Sequence, residues 1–211
     1  MESLSIYNKV QLGEIGITNL VFEIFKGISY EDISFKNFDF PLVWFMVNFF
    51  IVFIVGSYMY DDLKNNGVYI LSRIGNPQYF WISKVLWIII NNLIYYLIVL
   101  GIAVIAGKRF SGSSLEKDLI ETLGTLFILY FTTSVALCLL NTTLSLIVKP
   151  VYAYLIIILL LDFSIFLKNN LLPGQHSLIL RHVPFDKIYN LTLWKSLIYN
   201  FVLSTTSIIL C

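Results

Sequence analysis

Apolar residues fall along the chain in four long runs, residues 40–60, 85–107, 122–148 and 150–167, with a fifth over 196–211 that is cut short at Cys211. A hydrocarbon core about 30 Å thick takes roughly 20 apolar residues in a helix, so each run predicts a membrane-crossing helix. Polar stretches at residues 61–84, 108–121, 149–150 and 168–195 join them. Connectors this short make successive helices antiparallel neighbours. No repeat, low-complexity tract or Pro/Gly linker divides the runs. The expected fold is therefore all-α, a polytopic helical membrane bundle over residues 40–211 with five visible spans.

The connectors carry their own signals. Lys149-Pro150 is the tightest, and proline suits the first turn of a helix, where its missing donor would be unpaired anyway. The fourth connector, with Leu171-Leu172-Pro173-Gly174 and Val183-Pro184-Phe185, is apolar enough to fold back on the membrane surface. Ahead of the spans, residues 1–39 form a separate segment with no run long enough to cross. Leu20, Val21, Ile24 and Phe25 share one helical face there, which predicts a short amphipathic helix over 17–26 at the membrane surface.

In the first connector, Leu63, Ile70, Leu71 and Ile74 make one helical stripe, with Asp62, Lys64, Asn65, Ser72 and Arg73 mostly off it. That spacing predicts a helix lying along the interface, its polar side open to a partner. Gly75-Asn76-Pro77 breaks it, Asn76 as N-cap and Pro77 as the first residue of the next helix. Tyr79, Phe80 and Trp81 then form an aromatic belt at the membrane boundary.

Composition agrees with a membrane protein: 58% hydrophobic, 13% charged, mean hydropathy +0.81. A net charge of +1 gives no basic field for nucleic acid. Cys138 and Cys211 are too few for a disulfide framework or a zinc site. Basic residues in the N-terminal segment and second and fourth connectors outnumber those in the first and third by ten to four. Counted alone, that bias places the N-terminus in the cytoplasm.

The stretch from Phe40 through the apolar span, Asp61-Asp62-Leu63, Asn66-Gly67, Tyr69-Ile70-Leu71-Ser72-Arg73 and Trp81-Ile82-Ser83-Lys84-Val85-Leu86-Trp87 resembles permease subunits of ABC transporters of the type 2 exporter class. The resemblance implies that residues 61–84 are a cytoplasmic coupling segment that docks in a cleft of a separate ABC ATPase subunit. The coupling residues it implies are Asp61, Asp62, Leu63, Asn66, Gly67, Tyr69, Ile70, Leu71 and Arg73. It also implies a second permease copy or related permease as partner, ATP and magnesium on the ATPase, and a multi-pass position in the cell membrane. Family permeases have six spans, so the resemblance implies a chain lacking its first span. It places residues 1–39 and the second and fourth connectors outside, against the charge count.

No G-x-x-x-x-G-K-[ST] loop exists in the chain, so hydrolysis of ATP by that route belongs to another subunit. No H-E-x-x-H or G-x-S-x-G signature marks a membrane hydrolase, and no catalytic or metal residues are assigned. His176 and His182, with Asp186 nearby, lack the ligand count and helical spacing of a metal site. Asp162 within a span is costly, and either faces a protein interior or water-filled path or pairs near the outer interface with Lys168. Asn48, Asn91, Asn92, Asn141, Thr142 and Thr143 are polar positions inside spans, suited to helix–helix hydrogen bonds or to a substrate path.

The expected function is a permease subunit of an ATP-driven exporter, moving an amphipathic or hydrophobic peptide or lipid-like substrate through a dimer interface. The alternative is a membrane immunity or sensor protein that binds a peptide without transport.

Overall fold

The computed structural model describes residues 17–30, 33, 39–74, 77–111, 117–183 and 191–210; Leu63, Ile70, Leu71 and Ile74 are described by their backbone alone. Its helices are α1 (Ile17–Phe25), α2 (Leu42–Ile74), α3 (Pro77–Ser111), α4 (Lys117–Ile147), α5 (Pro150–Phe166) and α6 (Leu193–Leu210). Two 3-10 turns, Pro173–Ser177 and Ile179–Arg181, lie between α5 and α6. The protein is the expected all-α membrane bundle. Among the described residues, α2, α3, α4 and α6 each hold a stretch long and apolar enough to cross a bilayer. The fourth expected span, α5, is a shorter apolar helix of 17 residues, about 25 Å long.

The largest departure from expectation is α2. Residues 61–74 are no separate helix lying along the interface; they continue the first span without a break through Ile74. The loss of hydrophobicity at Asp61 is a change of solvent, not a helix stop. Residues 61–74 contain no proline, and the single Gly67 costs a helix only about 1 kcal/mol. Side chains one turn apart hold the polar part together: Asn66 Nδ2 donates to Asp62 Oδ1 at 3.1 Å, and Lys64 Nζ lies 5.9 Å from the Tyr60 ring centre. Pro77 opens α3 as its position predicts, while Asn76 lies outside the described residues.

α4 is the central post. It packs against α2, α3, α5 and α6, and against α1 and the first 3-10 turn. Burial on several sides explains its many small and hydroxylic residues: Thr133, Ser134, Ala136, Cys138, Thr142, Thr143 and Ser145 are all buried. Thr142 and Thr143 donate to the Leu139 carbonyl at 2.7 and 2.6 Å, so these hydroxyls are satisfied inside their own helix.

One end of the bundle is closed by a cap. α1 docks on α2, α3 and α4 with Val21 and Phe25 buried, whereas Ile24, expected on the same face, points outward. Phe25 meets Tyr130 edge-on at 5.8 Å, and the Tyr130 hydroxyl donates to the Phe25 carbonyl at 2.7 Å. Gly27, at φ 76°, turns the chain toward buried Ile28 and Tyr30. The fourth connector joins this cap. Gln175, His176, Ser177, Leu178 and Arg181 are buried in the bundle end rather than laid on the membrane surface.

Candidate functional site at the base of a helical stalk

A helix rises 1.5 Å per residue, so α2 with 33 residues and α3 with 35 are each about 50 Å long. That exceeds the ~30 Å hydrocarbon core by roughly 20 Å. At the end opposite the cap, residues 61–74 continue α2 for about 20 Å beyond its apolar run and residues 77–84 open α3 roughly 12 Å ahead of its own, and these two arms form a stalk. Its outer surface presents Asp61, Lys64, Asn65, Asn66, Tyr69, Arg73, Gln78 and Tyr79, all exposed. Of the residues expected to couple to a partner, Asp61, Asn66, Tyr69 and Arg73 stand on this surface, and Gly67 is buried. The side chains of Leu63, Ile70 and Leu71 lie outside the described ones.

Asp62 instead turns toward α3. Its Oδ2 pairs with Lys84 Nζ, with both side chains only 12–13% exposed. Lys84 also sits over the rings of Tyr58 at 4.8 Å and Phe80 at 5.1 Å. Tyr58 stacks on Trp87 at 4.4 Å. The base of the stalk is thus braced across both helices by one ion pair and one aromatic stack, a layer that carries motion of one helix to the other. Phe80, expected in an aromatic belt, is buried in this layer, while Tyr79 remains exposed.

The polar positions within the spans separate into two kinds. Asn92 joins helices: its Oδ1 accepts from Ser134 on α4, and its Nδ2 donates to the Ile88 carbonyl at 2.9 Å. Asn48 and Asn91 donate to carbonyls of their own helices, Trp44 and Trp87, at 2.8 Å. Asn141 is buried with neither amide atom hydrogen-bonded among the described residues, pressed against Gly56 of α2. Asn200 on α6, not singled out by the sequence, donates to Thr132 and Thr133 on α4 at 3.2 and 3.0 Å. A lone amide in the fifth apolar run was the signal available for it.

Asp162 makes no hydrogen bond or ion pair among the described residues, and it does not pair with Lys168, which lies 5.1 Å from the Tyr30 ring centre. His176 and His182 are brought together, though not as a metal site; no cluster of three ligating residues occurs among the described residues. His182 Nε2 donates to the His176 carbonyl at 3.2 Å. His176 Nε2 donates to the Asn170 carbonyl at 3.0 Å, which leaves Nδ1 to accept from Ser196 on α6 at 2.9 Å. The ring stacks on Tyr199 at 4.1 Å. Burial lowers the pKa of His176 to about 4 and lowers that of His182, so both are neutral near pH 7.

Between α3 and α6, over the floor of α4, runs a groove of about 550 Å³ that opens sideways. Val85, Val135, Leu139, Trp194, Phe201 and Ile208 are among its walls. At one end a small pocket continues it, sharing Val85, Leu139 and Ile208 and adding Trp81 and Lys84. The groove thus ends at the ion pair that braces the stalk. No motif announced it, because its walls come from three helices far apart in sequence.

The chain belongs to the family described as "Protein of unknown function (DUF2705)", which matches residues 7–211. No curated protein and no solved structure matches it.

Proposed function

For this member of the DUF2705 family, we propose the role of membrane-spanning permease subunit of an ATP-driven exporter, with the α2–α3 stalk as the part that meets the ATPase. The observation that carries this reading is the stalk: a helical hairpin whose α2 arm continues about 20 Å past the first apolar run, with a polar outer surface and a braced base. A helix pair that only needed to cross the bilayer would turn back at its surface. Force applied to the stalk tip passes through the Asp62–Lys84 and Tyr58–Trp87 layer into α2 and α3, and so to the groove beside α4. Shifting a two-state equilibrium in that way requires a partner that binds one state more tightly than the other. ATP and magnesium supply that difference on the partner ATPase, and a second permease copy completes the path.

The test has two arms. Asn65→Cys in a background free of other cysteines is expected to react with membrane-impermeant maleimide only from the cytoplasmic side. Reaction only from outside would overturn the orientation. Arg73→Glu and Tyr69→Ala are expected to abolish co-purification of an ABC ATPase and ATP-dependent export. Undiminished association in both variants would overturn the docking role.

A further inference from the structure

The groove between α3 and α6 has a length, a wall chemistry and an end, and together these specify an occupant. From Trp194 to Ile208 its α6 wall covers 14 helical steps, about 21 Å. One leaflet of a bilayer is about 15 Å of hydrocarbon, so an extended acyl chain seated here passes the midplane. Four wall residues, Trp194, Ile198, Phe201 and Ile208, are 41–74% exposed and face the lateral opening. Nothing in the groove's apolar wall distinguishes one tail from another, since lipid tails are as apolar as leucine and a tail gains little on leaving the bilayer for it. Selection must come from the head.

At the inner end the only basic residue lining the continuation among the described residues is Lys84, next to the indole of Trp81 and the hydroxyls of Thr142 and Ser207. Its described ion-pair partner is Asp62. We propose that the groove binds a single-chain membrane amphiphile with an anionic head, the tail between α3 and α6 and the head at Lys84, in competition with Asp62. Occupancy then loosens the cross-brace of the stalk, so the same lysine reports the ligand to the hairpin. This deepens the exporter reading by naming its substrate class, but binding itself needs neither ATP nor an ATPase.

The experiment uses the full chain in phosphatidylcholine nanodiscs and two probes with the same photoreactive acyl tail, lysophosphatidate and lysophosphatidylcholine. Lysophosphatidate is expected to label the α6 segment around Phe201 at roughly tenfold lower concentration, as one charge-assisted contact implies. Asp62→Asn, which frees Lys84, should widen that ratio; Lys84→Gln should bring it to one. Val135→Trp, filling the groove floor, should lower labelling by both probes. Equal labelling of the unaltered protein, or a ratio unmoved by both Asp62→Asn and Lys84→Gln, overturns the proposal. Either result leaves ATPase association untouched, and failure of that association leaves the labelling ratio untouched.

Discussion

Asp62 and Lys84 form an ion pair across the α2–α3 hairpin, twenty-two positions apart in sequence, where the two helices leave the apolar part of the bundle. Asn66 donates to the other carboxylate oxygen of Asp62, and the Tyr58 and Phe80 rings flank the ammonium. The pair is neither a loose surface contact nor fully buried, at 12–13% exposure. Its value comes from geometry: it holds two helices in register at one level.

A double-mutant cycle reads that value directly. Asp62→Asn and Lys84→Gln are each expected to lower stability by on the order of 2 kcal/mol, as loss of a charged hydrogen bond does. The double variant should cost less than the sum of the two, and the exchanged pair Asp62→Lys with Lys84→Asp should recover part of the loss. Reversible unfolding in mixed micelles measures all four. Strict additivity would mean that the two side chains do not act together.

Arg181 is predicted to be the most sensitive residue of the cap. It is fully buried, and its two terminal nitrogens donate to the carbonyls of Ser164 and, at 2.6 Å, Ile165, in the last turn of α5. Those carbonyls are at the negative end of the helix, where a cation is favoured. The guanidinium also lies 3.9 Å over the Tyr30 ring and donates to its hydroxyl at 3.1 Å. Arg181→Met is expected to cost about 3 kcal/mol or more. Arg181→Lys should fall well short of rescue, because one ammonium cannot reproduce the planar fork. A melting temperature for the lysine variant equal to that of the unaltered protein would refute this.

These contacts show where the sequence could be read and where it could not. The apolar runs placed α2 to α6, and Pro77 and Pro150 marked helix starts, because both signals are local. Polarity at Asp61 predicted a new element and was misleading: it marks the edge of the hydrocarbon, and a helix without proline has no reason to stop there. The cap was harder still. Gln175, His176 and Arg181 belong to residue types that favour the surface, and only their partners make burial tolerable. Those partners are remote, Tyr30 lying 151 positions from Arg181. The groove was illegible for the same reason, since its α3 and α6 walls lie about a hundred positions apart in sequence and are joined by the floor of α4.

Gly56 allows α2 to approach α4. A methyl group there would strike the Asn141 amide nitrogen and come within 3.2 Å of the Tyr154 hydroxyl. Gly56→Ala is therefore expected to destabilise by about 1–3 kcal/mol, the usual range for overpacking. Asn141→Ala alone should cost little, since it removes a buried amide with no hydrogen-bond partner among the described residues. Combining the two should return much of the loss, because the colliding atoms are gone. Thermal unfolding of the three variants tests the order; a double variant no better than Gly56→Ala would place the strain elsewhere.

Acid should weaken the cap through His176. In the folded protein its pKa is lowered to about 4 by burial against Tyr199 and Ser196, from an ordinary value of 6.5. Between those values the unfolded chain takes a proton that the folded chain refuses, so stability falls as pH drops from 6.5 toward 4. The full difference is worth roughly 3 kcal/mol, and His182, also lowered, adds in the same direction. Protonation would turn Nδ1 into a donor facing the Ser196 hydroxyl, forcing that hydroxyl to give up its present bond. The melting temperature is expected to fall from pH 7.5 to pH 4.5, and His176→Gln should reduce that slope while lowering stability at pH 7.5. A slope identical in the glutamine variant would assign the acid sensitivity to other groups.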